Sequence, residues 1–587
     1  MTDIIGFPLP NHIFLTTTIL NLSFEFTLFT DFQFYMNTNI LGYTSSPAFD
    51  TSVAYFSMEF AIDQQLPIYS GGLGFLAGSH LRSAYELKQN LIGIGILWKY
   101  GYYDQCSNED GSMRVEFTAK SYPFLEDTGI VFQVPIRNHD VAVKAFLLKP
   151  STFGTTPLYL LSTDLPENDD FGRSISGRLY DNDEQIRVAQ SILLGIGGGM
   201  LLDLLKIVPD RYHMNEGHAI PLNFFLYSKF KDLAEIKMKM VFTTHTPEAA
   251  GNEVHHFELL KEMSFFYHLQ VHEVKYLLDM EGDQFNYTLA ALKFSGIANA
   301  VSKIHAEVAK RMWSANSGVC EIISITNAQN QKYWQDEAFR KYILKVDDDN
   351  LAGRKKEMKV DLFREVEKRT GKKFNPDVLT IVWARRFAEY KRADLLLQDW
   401  GRFIQLITDN VKPVQVIWAG KPYPEDHSAT QLFNEITERT KSFGNCAVLT
   451  GHELDLSALL KKGADIWLNN PMMYREASGT SGMTAAMNGA INLSIPDGWV
   501  PEFAKDRLNC FLITPAMGDY SQEEINRQEN LNLMDSLQHL VLPLYYEDVR
   551  GWGKMVKNAV EYVVPEFESA RMVTEYYQKL YNPTNRT

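Results

Sequence analysis

From Ala54 onward, short apolar runs of strand length alternate with longer amphipathic stretches, which predicts repeated βα units over a mainly parallel sheet. Val53 to Phe56 and Leu158 to Ser162 read as strands, Glu184 to Leu205 as a long helix, and Met238 to Thr243 and Ile322 to Ile325 continue the strand series. A charged helical stretch, Glu337 to Lys373, follows with no apolar core of its own, and its basic run Arg354-Lys355-Lys356 reads as a solvated helix face. A second strand series then begins at Leu379 to Trp383 and runs through Val414 to Ala419, Ala447 to Leu449, Ile466 to Leu468 and Ile491 to Ile495. The last stretch, Val549 to Tyr581, reads as helical. The pattern predicts an α/β chain of two Rossmann-like, doubly wound domains whose strand C-terminal ends face a shared interdomain cleft. The predicted division is an N-terminal extension over 1–50, a first domain over 51–327, and a second domain with closing C-terminal helices over 328–587.

With 587 residues the chain is long enough for several domains, and its 45% apolar and 22% charged content is that of a folded globular protein. Lys and Arg total 57 against 72 Asp and Glu, a net charge of −15 that disfavours nucleic acid and anionic membranes as partners. The four cysteines, Cys106, Cys320, Cys446 and Cys510, form no CxxC pair, which argues against a disulfide framework or a structural metal and for a reducing cytoplasm. Ile13 to Phe34 is apolar, but no Lys or Arg precedes it and Glu25 and Asp31 interrupt it, so it reads as a β-hairpin or an upstream extension, not as a signal peptide or a membrane span.

Five segments carry candidate chemistry. Ser70-Gly71-Gly72-Leu73-Gly74 precedes a helical pattern, Leu76 to Lys88, and glycines there allow backbone N–H groups to approach an anion, although a tight turn accounts for them equally well. Arg385-Arg386-Phe387-Ala388-Glu389-Tyr390-Lys391-Arg392 sets four cations at a strand end, suited to phosphate or to salt bridges across a domain edge. Arg475-Glu476-Ala477-Ser478-Gly479-Thr480-Ser481-Gly482-Met483-Thr484 leads into a small-residue helix, Ala485 to Asn488, and offers N–H donors and a carboxylate to a sugar or phosphate, or a plain helix cap. His213 to His218 and Thr243 to Glu248 follow apolar runs without metal-ligand spacing. Gly195-Ile196-Gly197-Gly198-Gly199 lies inside a helical pattern and reads as close helix packing.

Together these segments resemble the α-glucan phosphorylases, the glycogen, starch and maltodextrin phosphorylases. The resemblance runs in order through Tyr55-Phe56-Ser57-Met58-Glu59-Phe60, Gly71-Gly72-Leu73-Gly74, Lys99 to Gln105, Asn215-Glu216-Gly217-His218, Thr244-His245-Thr246, Ile304-His305-Ala306-Glu307, Thr326-Asn327, Arg386 to Arg392, Ala419-Gly420-Lys421, Glu476 to Met483 and Asp497-Gly498. It implies a GT-B fold and retaining glucosyl transfer between an α-1,4-glucan end (glycogen, starch or maltodextrin) and phosphate, giving glucose 1-phosphate, in a cytoplasmic protein and a possible homodimer. By resemblance, Arg386 and Lys391 hold the substrate phosphate, and Asn327, Glu476, Ala477, Ser478, Gly479 and Glu216 line the glucosyl site. His245 is placed to support charge developing on the sugar, and Gly71, Gly72, Arg385, Thr480 and Ser481 line the pocket of the pyridoxal phosphate cofactor.

Thr484 departs from that pattern, because the family's Glu-Ala-Ser-Gly-Thr motif continues to a lysine that binds pyridoxal phosphate as an imine. A hydroxyl cannot form an imine, so the cofactor is held noncovalently or is absent here, and affinity falls without a tether. Three readings stay open: a phosphorylase with untethered pyridoxal phosphate, a cofactor-free transferase using a nucleotide sugar, and an inactive glucan-binding relative. Ser79, where aspartate is common, and Ala328, where glycine is usual, are smaller departures.

Overall fold

The strand Val53–Phe56 lies inside a nine-stranded sheet, paired in parallel with Arg211–Asn215 on one side and Leu91–Ile96 on the other. Beyond Arg211–Asn215 come Met240–Thr243, Ile297–Ala300 and Glu321–Ser324, all parallel. Beyond Leu91–Ile96 come Leu158–Ser162 and an antiparallel hairpin, His139–Leu148 with Glu126–Ile136, at the edge. The two central strands Val53–Phe56 and Leu91–Ile96 are buried at every position, which is why they read as unbroken apolar runs, whereas the edge strand Glu126–Ile136 intersperses buried with exposed residues. The structure is a computed structural model that describes residues 40–582 except 249–250 and 346–347; the expected hairpin or extension over 13–34 lies outside the described residues.

A second sheet has six parallel strands, ordered Cys446–Leu449, Val414–Ala419, Leu379–Ala384, Ile466–Asn469, Ile491–Ser494 and Cys510–Leu512. Two doubly wound sheets with a cleft between them make the GT-B architecture. In each, the strand order reverses beside a central strand, between Val53–Phe56 and Arg211–Asn215 in the first and between Leu379–Ala384 and Ile466–Asn469 in the second. Ligands of open α/β sheets bind outside the strand C-termini at such reversals. Four segments therefore meet at the cleft: those after Phe56, Asn215, Ala384 and Asn469.

The helix expected over Glu184 to Leu205 is continuous but contains a wider π turn at Leu193–Gly197. Its glycines are packing contacts, since a Cβ on Gly195 would come within 2.6 Å of the Leu222 backbone nitrogen. This helix is long and apolar enough to cross a membrane, yet 83% of its apolar window is buried inside the protein.

Four expectations need correction. The strand expected from Met238 starts at Met240, because the helix Leu233–Lys239 runs through Met238 and leaves it exposed. The basic run is not a free solvated face: Lys355 Nζ donates to the Lys462 and Asn488 carbonyls at 2.8 and 2.9 Å, at the ends of two helices, while Arg354 pairs with Asp336 and Lys356 with Asp377. The long helix Asp348–Thr370 also has a core face, burying Leu362, Phe363 and Val366 against Val382 and Ile417. Finally, the C-terminal stretch breaks at Glu568, and the helix Ser569–Tyr576 and the turn through Tyr581 belong to the first core, where Met572, Val573 and Tyr576 are buried.

Candidate active site

The strand Leu379–Ala384 is buried on both faces and delivers Arg385 directly into the cleft. A tight turn, Glu389–Lys391, followed by Arg392 in the left-handed region, folds the segment back. The four cations then separate. Arg392 turns away from the cleft to donate to the Asn470 and Pro471 carbonyls and to pair with Glu529 at 2.6 Å, so for this residue the salt-bridge alternative is the one realised. Lys391 Nζ and Arg385 Nη2 converge on one carboxylate, Glu476, with Arg385 at 3.2 Å. Arg386 stays exposed in the cleft, with Tyr390, Tyr102 and Glu59 near its charge. Two cations thus share the single carboxylate of Glu476. Burial opposes ionisation of Glu476, but Lys391 and Arg385 outweigh it and hold the carboxyl below its ordinary value.

The Glu476 loop is clamped by the turn at Asp497. Asp497 Oδ2 accepts the Glu476 backbone N–H at 2.9 Å, its Oδ1 accepts that of Gly498 at 2.8 Å, and Trp499 N–H donates to the Ser478 carbonyl at 2.9 Å. Gly498 has φ +60°, and a Cβ there would fall 2.3 Å from the Ser478 oxygen, so only glycine fits this close approach. Burial raises Asp497 to about 6 despite these N–H donors. The helix Thr480–Met487 follows Gly479, which has φ +91° and supplies no side-chain cap, so the first helical N–H groups are open to a ligand.

From the first domain, Ser302 Oγ donates to the Ala477 carbonyl at 2.7 Å, and Thr326 Oγ1, next to Asn327, donates to Glu502 on the helix Val500–Phe503 at 2.8 Å. His245 follows the strand Met240–Thr243. Asn215 Nδ2 donates to Ser57 Oγ at 3.1 Å, leaving Asn215 Oδ1 to accept from His245 Nε2 at 2.7 Å. Burial, with His305 and His218 nearby, pushes His245 down to about 3, so the ring is neutral at pH 7. Glu216 accepts the His245 backbone N–H at 2.7 Å, and its burial raises it to about 7. Arg475 pairs with Glu248 across the cleft.

At the remaining strand end, Glu59 accepts the Ser70 and Gly71 N–H groups at 2.6 and 3.1 Å and the Tyr180 hydroxyl at 2.8 Å. This fixes the loop that starts the helix Gly72–Glu86, longer at its N-terminus than the expected Leu76 start, and leaves open space beside Gly71 and Gly72. That helix packs on Thr480–Met487, so the two glycine-led helix starts share the cleft. Thr484 is buried in the second of them, its hydroxyl donating to the Ser481 carbonyl at 3.0 Å within its own helix.

Several buried polar atoms in this region have no hydrogen-bond partner: Arg385 Nε and Nη1, Ser478 Oγ, Asn327 Oδ1 and His218 Nδ1. Buried polar groups are ordinarily paired, so this set is shaped for a polar ligand. Sequence reasoning gave no role to Glu59, Asn215 or Asp497, although each stands in a segment that carries the family resemblance and lies in or just after a strand end.

The carbohydrate phosphorylase family model matches residues 284–541. A protein of Methanocaldococcus jannaschii described as uncharacterized is 47% identical over 90% of this chain and 99% of its own. The maltodextrin phosphorylase of Thermococcus litoralis is 34% identical over 94% of this chain and 73% of its own. The glycogen phosphorylase of Aquifex aeolicus is 32% identical over 90% of this chain and 86% of its own.

Proposed function

This chain belongs to the carbohydrate phosphorylase family, and on that premise we propose that it catalyses retaining phosphorolysis of α-1,4-glucan (glycogen, starch or maltodextrin) to α-glucose 1-phosphate. The observation that carries this reading is the incomplete pairing of positive charge at the cleft: Arg385 and Lys391 share the one carboxylate of Glu476, and Arg385 Nε and Nη1 are buried and unpaired. Such incomplete pairing is costly to keep unless an anion completes it. In this reading Arg386, open to the cleft, and Lys391 bind the substrate phosphate, and Glu476 orients Lys391 until the phosphate arrives. Asn327, Ser478, Gly479 and the Ala477 backbone hold the glucosyl hydroxyls, and Glu216 braces the loop that carries His245. Neutral His245 supports positive charge developing at the anomeric carbon without adding its own.

The residues present fit a phosphate-bearing cofactor. The unpaired Arg385 N–H groups, the open space at Gly71 and Gly72 and the uncapped helix start at Thr480 and Ser481 would hold the phosphate of pyridoxal phosphate. When bound, that group supplies a second phosphate beside the substrate phosphate. The Thr484 hydroxyl turns onto its own helix and cannot tether the cofactor.

A cofactor-free transferase using a nucleotide sugar is the second reading, favoured by Thr484. Incubation with maltodextrin and phosphate, followed by phosphorus NMR, separates them: α-glucose 1-phosphate supports phosphorolysis, whereas glucan extension only from a nucleotide sugar overturns it.

A further inference from the structure

Five lysines are buried among the described residues: Lys293, Lys359, Lys391, Lys421 and Lys461. Four of them donate to oxygen. Lys293 reaches the Asp279 carbonyl, Lys359 pairs with Asp465, Lys391 with Glu476, and Lys421 bonds the Tyr103 carbonyl at 2.9 Å and Glu453 at 3.0 Å. Lys461 has no such partner. It is 2% exposed on the helix Leu454–Gly463, and its Nζ lies 3.6 Å from the centre of the Trp334 ring and 5.0 Å from that of Phe75.

Its surroundings are short of partners as well. Ser457 Oγ, one helical turn earlier on the same face, and His452 Nε2, just before the helix, are buried without hydrogen bonds. The helix Leu454–Gly463 packs on Thr480–Met487, which carries Thr484, and Trp334 and Phe75 come from two further helices that pack on the same one. The Lys461 amine therefore sits among the elements that surround the position where the family resemblance calls for a lysine and this chain has threonine.

We propose that Lys461 is the amine through which this chain holds pyridoxal phosphate, taking from the adjacent helix the place that Thr484 leaves without one. The inference rests on the reading above that the chain uses this cofactor. The step is a condensation: Lys461 Nζ bonds to the aldehyde carbon, a carbon–nitrogen double bond replaces the carbonyl, and the oxygen leaves as water with the two amine protons. No oxidant or reductant is required. Burial among apolar rings pushes the Lys461 ammonium well below the ordinary lysine value, which favours the free, nucleophilic amine.

The test uses the full chain, dialysed, incubated with pyridoxal phosphate, reduced with borohydride and mapped by peptide mass spectrometry. The expected result is a reduced adduct on Lys461 at about tenfold or more the level on any other lysine, since exposed lysines are almost wholly protonated. Lys461→Met and Lys461→Gln should lose it while retaining the circular dichroism of the parent. No adduct, or adducts spread over exposed lysines, overturns the proposal, as does cofactor retained in equilibrium dialysis without any reducible bond. Glucose 1-phosphate release measured alongside separates the two readings: release that needs the cofactor without a Lys461 adduct overturns only this inference. A Lys461 adduct without release supports it and counts against phosphorolysis.

Discussion

Arg385 Nη2 donates to Glu476 Oε2 at 3.2 Å, while Nε and Nη1 of the same guanidinium are buried with no partner. One carboxylate cannot satisfy a five-donor fork and the Lys391 ammonium together, so the pair is an incomplete anion site and not a closed salt bridge.

Arg386 is the cation with least structural duty. Arg386→Ala is expected to lower turnover by about 10²–10³-fold, the scale for removing a charge-stabilising donor, and to change stability by less than about 0.5 kcal/mol, because the side chain is exposed. Rates of glucose 1-phosphate release and thermal melts check both. Full activity in this variant would remove Arg386 from the phosphate site.

Gly498→Ala is expected to cost about 1–3 kcal/mol, through a Cβ forced against the Ser478 carbonyl and a left-handed backbone. The Glu476 loop should shift with it, raising KM for glucan and for phosphate together. Urea unfolding and steady-state kinetics measure the two effects. An unchanged KM for both would show that the Asp497 turn does not position the loop.

Stability should fall in acid. His80, buried with neither ring nitrogen bonded, is pushed down to about 3 by burial, and His452 likewise to about 3. Unfolded histidines bind protons below about 6.5, so the folded state loses stability as pH falls through the window from there to about 3, by at most about 1.4 kcal/mol per pH unit per histidine. Asp497, raised to about 6, has the opposite sign: its contribution is complete below about 4 and is lost as pH rises through 6. Histidines of this kind outnumber such carboxylates, so urea midpoints should drop between pH 7 and pH 5. His80→Phe should reduce the slope; an unaltered slope would deny His80 this part.

If Lys461 supplies the amine, the function should be movable. Thr484→Lys in a Lys461→Met background should return the borohydride-reducible adduct, now at position 484, from near absence to near stoichiometric. A folded double variant with no adduct would mean that no aldehyde reaches the space between these two helices.

The strand ends were legible because buried parallel strands read as unbroken apolar runs, and Leu379–Ala384 passes straight into Arg385 and Arg386. What each cation does there was not. Arg392 is neutralised by Glu529, far along the chain, and no local pattern separates it from Lys391 one position earlier. Lys355 and Lys461 fail for the same reason: each looks like a surface lysine in its own helix, and only tertiary packing supplies its neighbours, helix-end carbonyls for Lys355 and aromatic rings for Lys461. The C-terminal helix likewise read as helical without revealing that it returns to the first core.

The central claim is phosphorolysis by a chain without the usual tether, and its most direct test is release of α-glucose 1-phosphate from maltodextrin and phosphate by dialysed protein, with and without added pyridoxal phosphate. Release that rises from background on addition of the cofactor is the predicted result. No release in either condition, from protein that is folded by circular dichroism, would contradict the account.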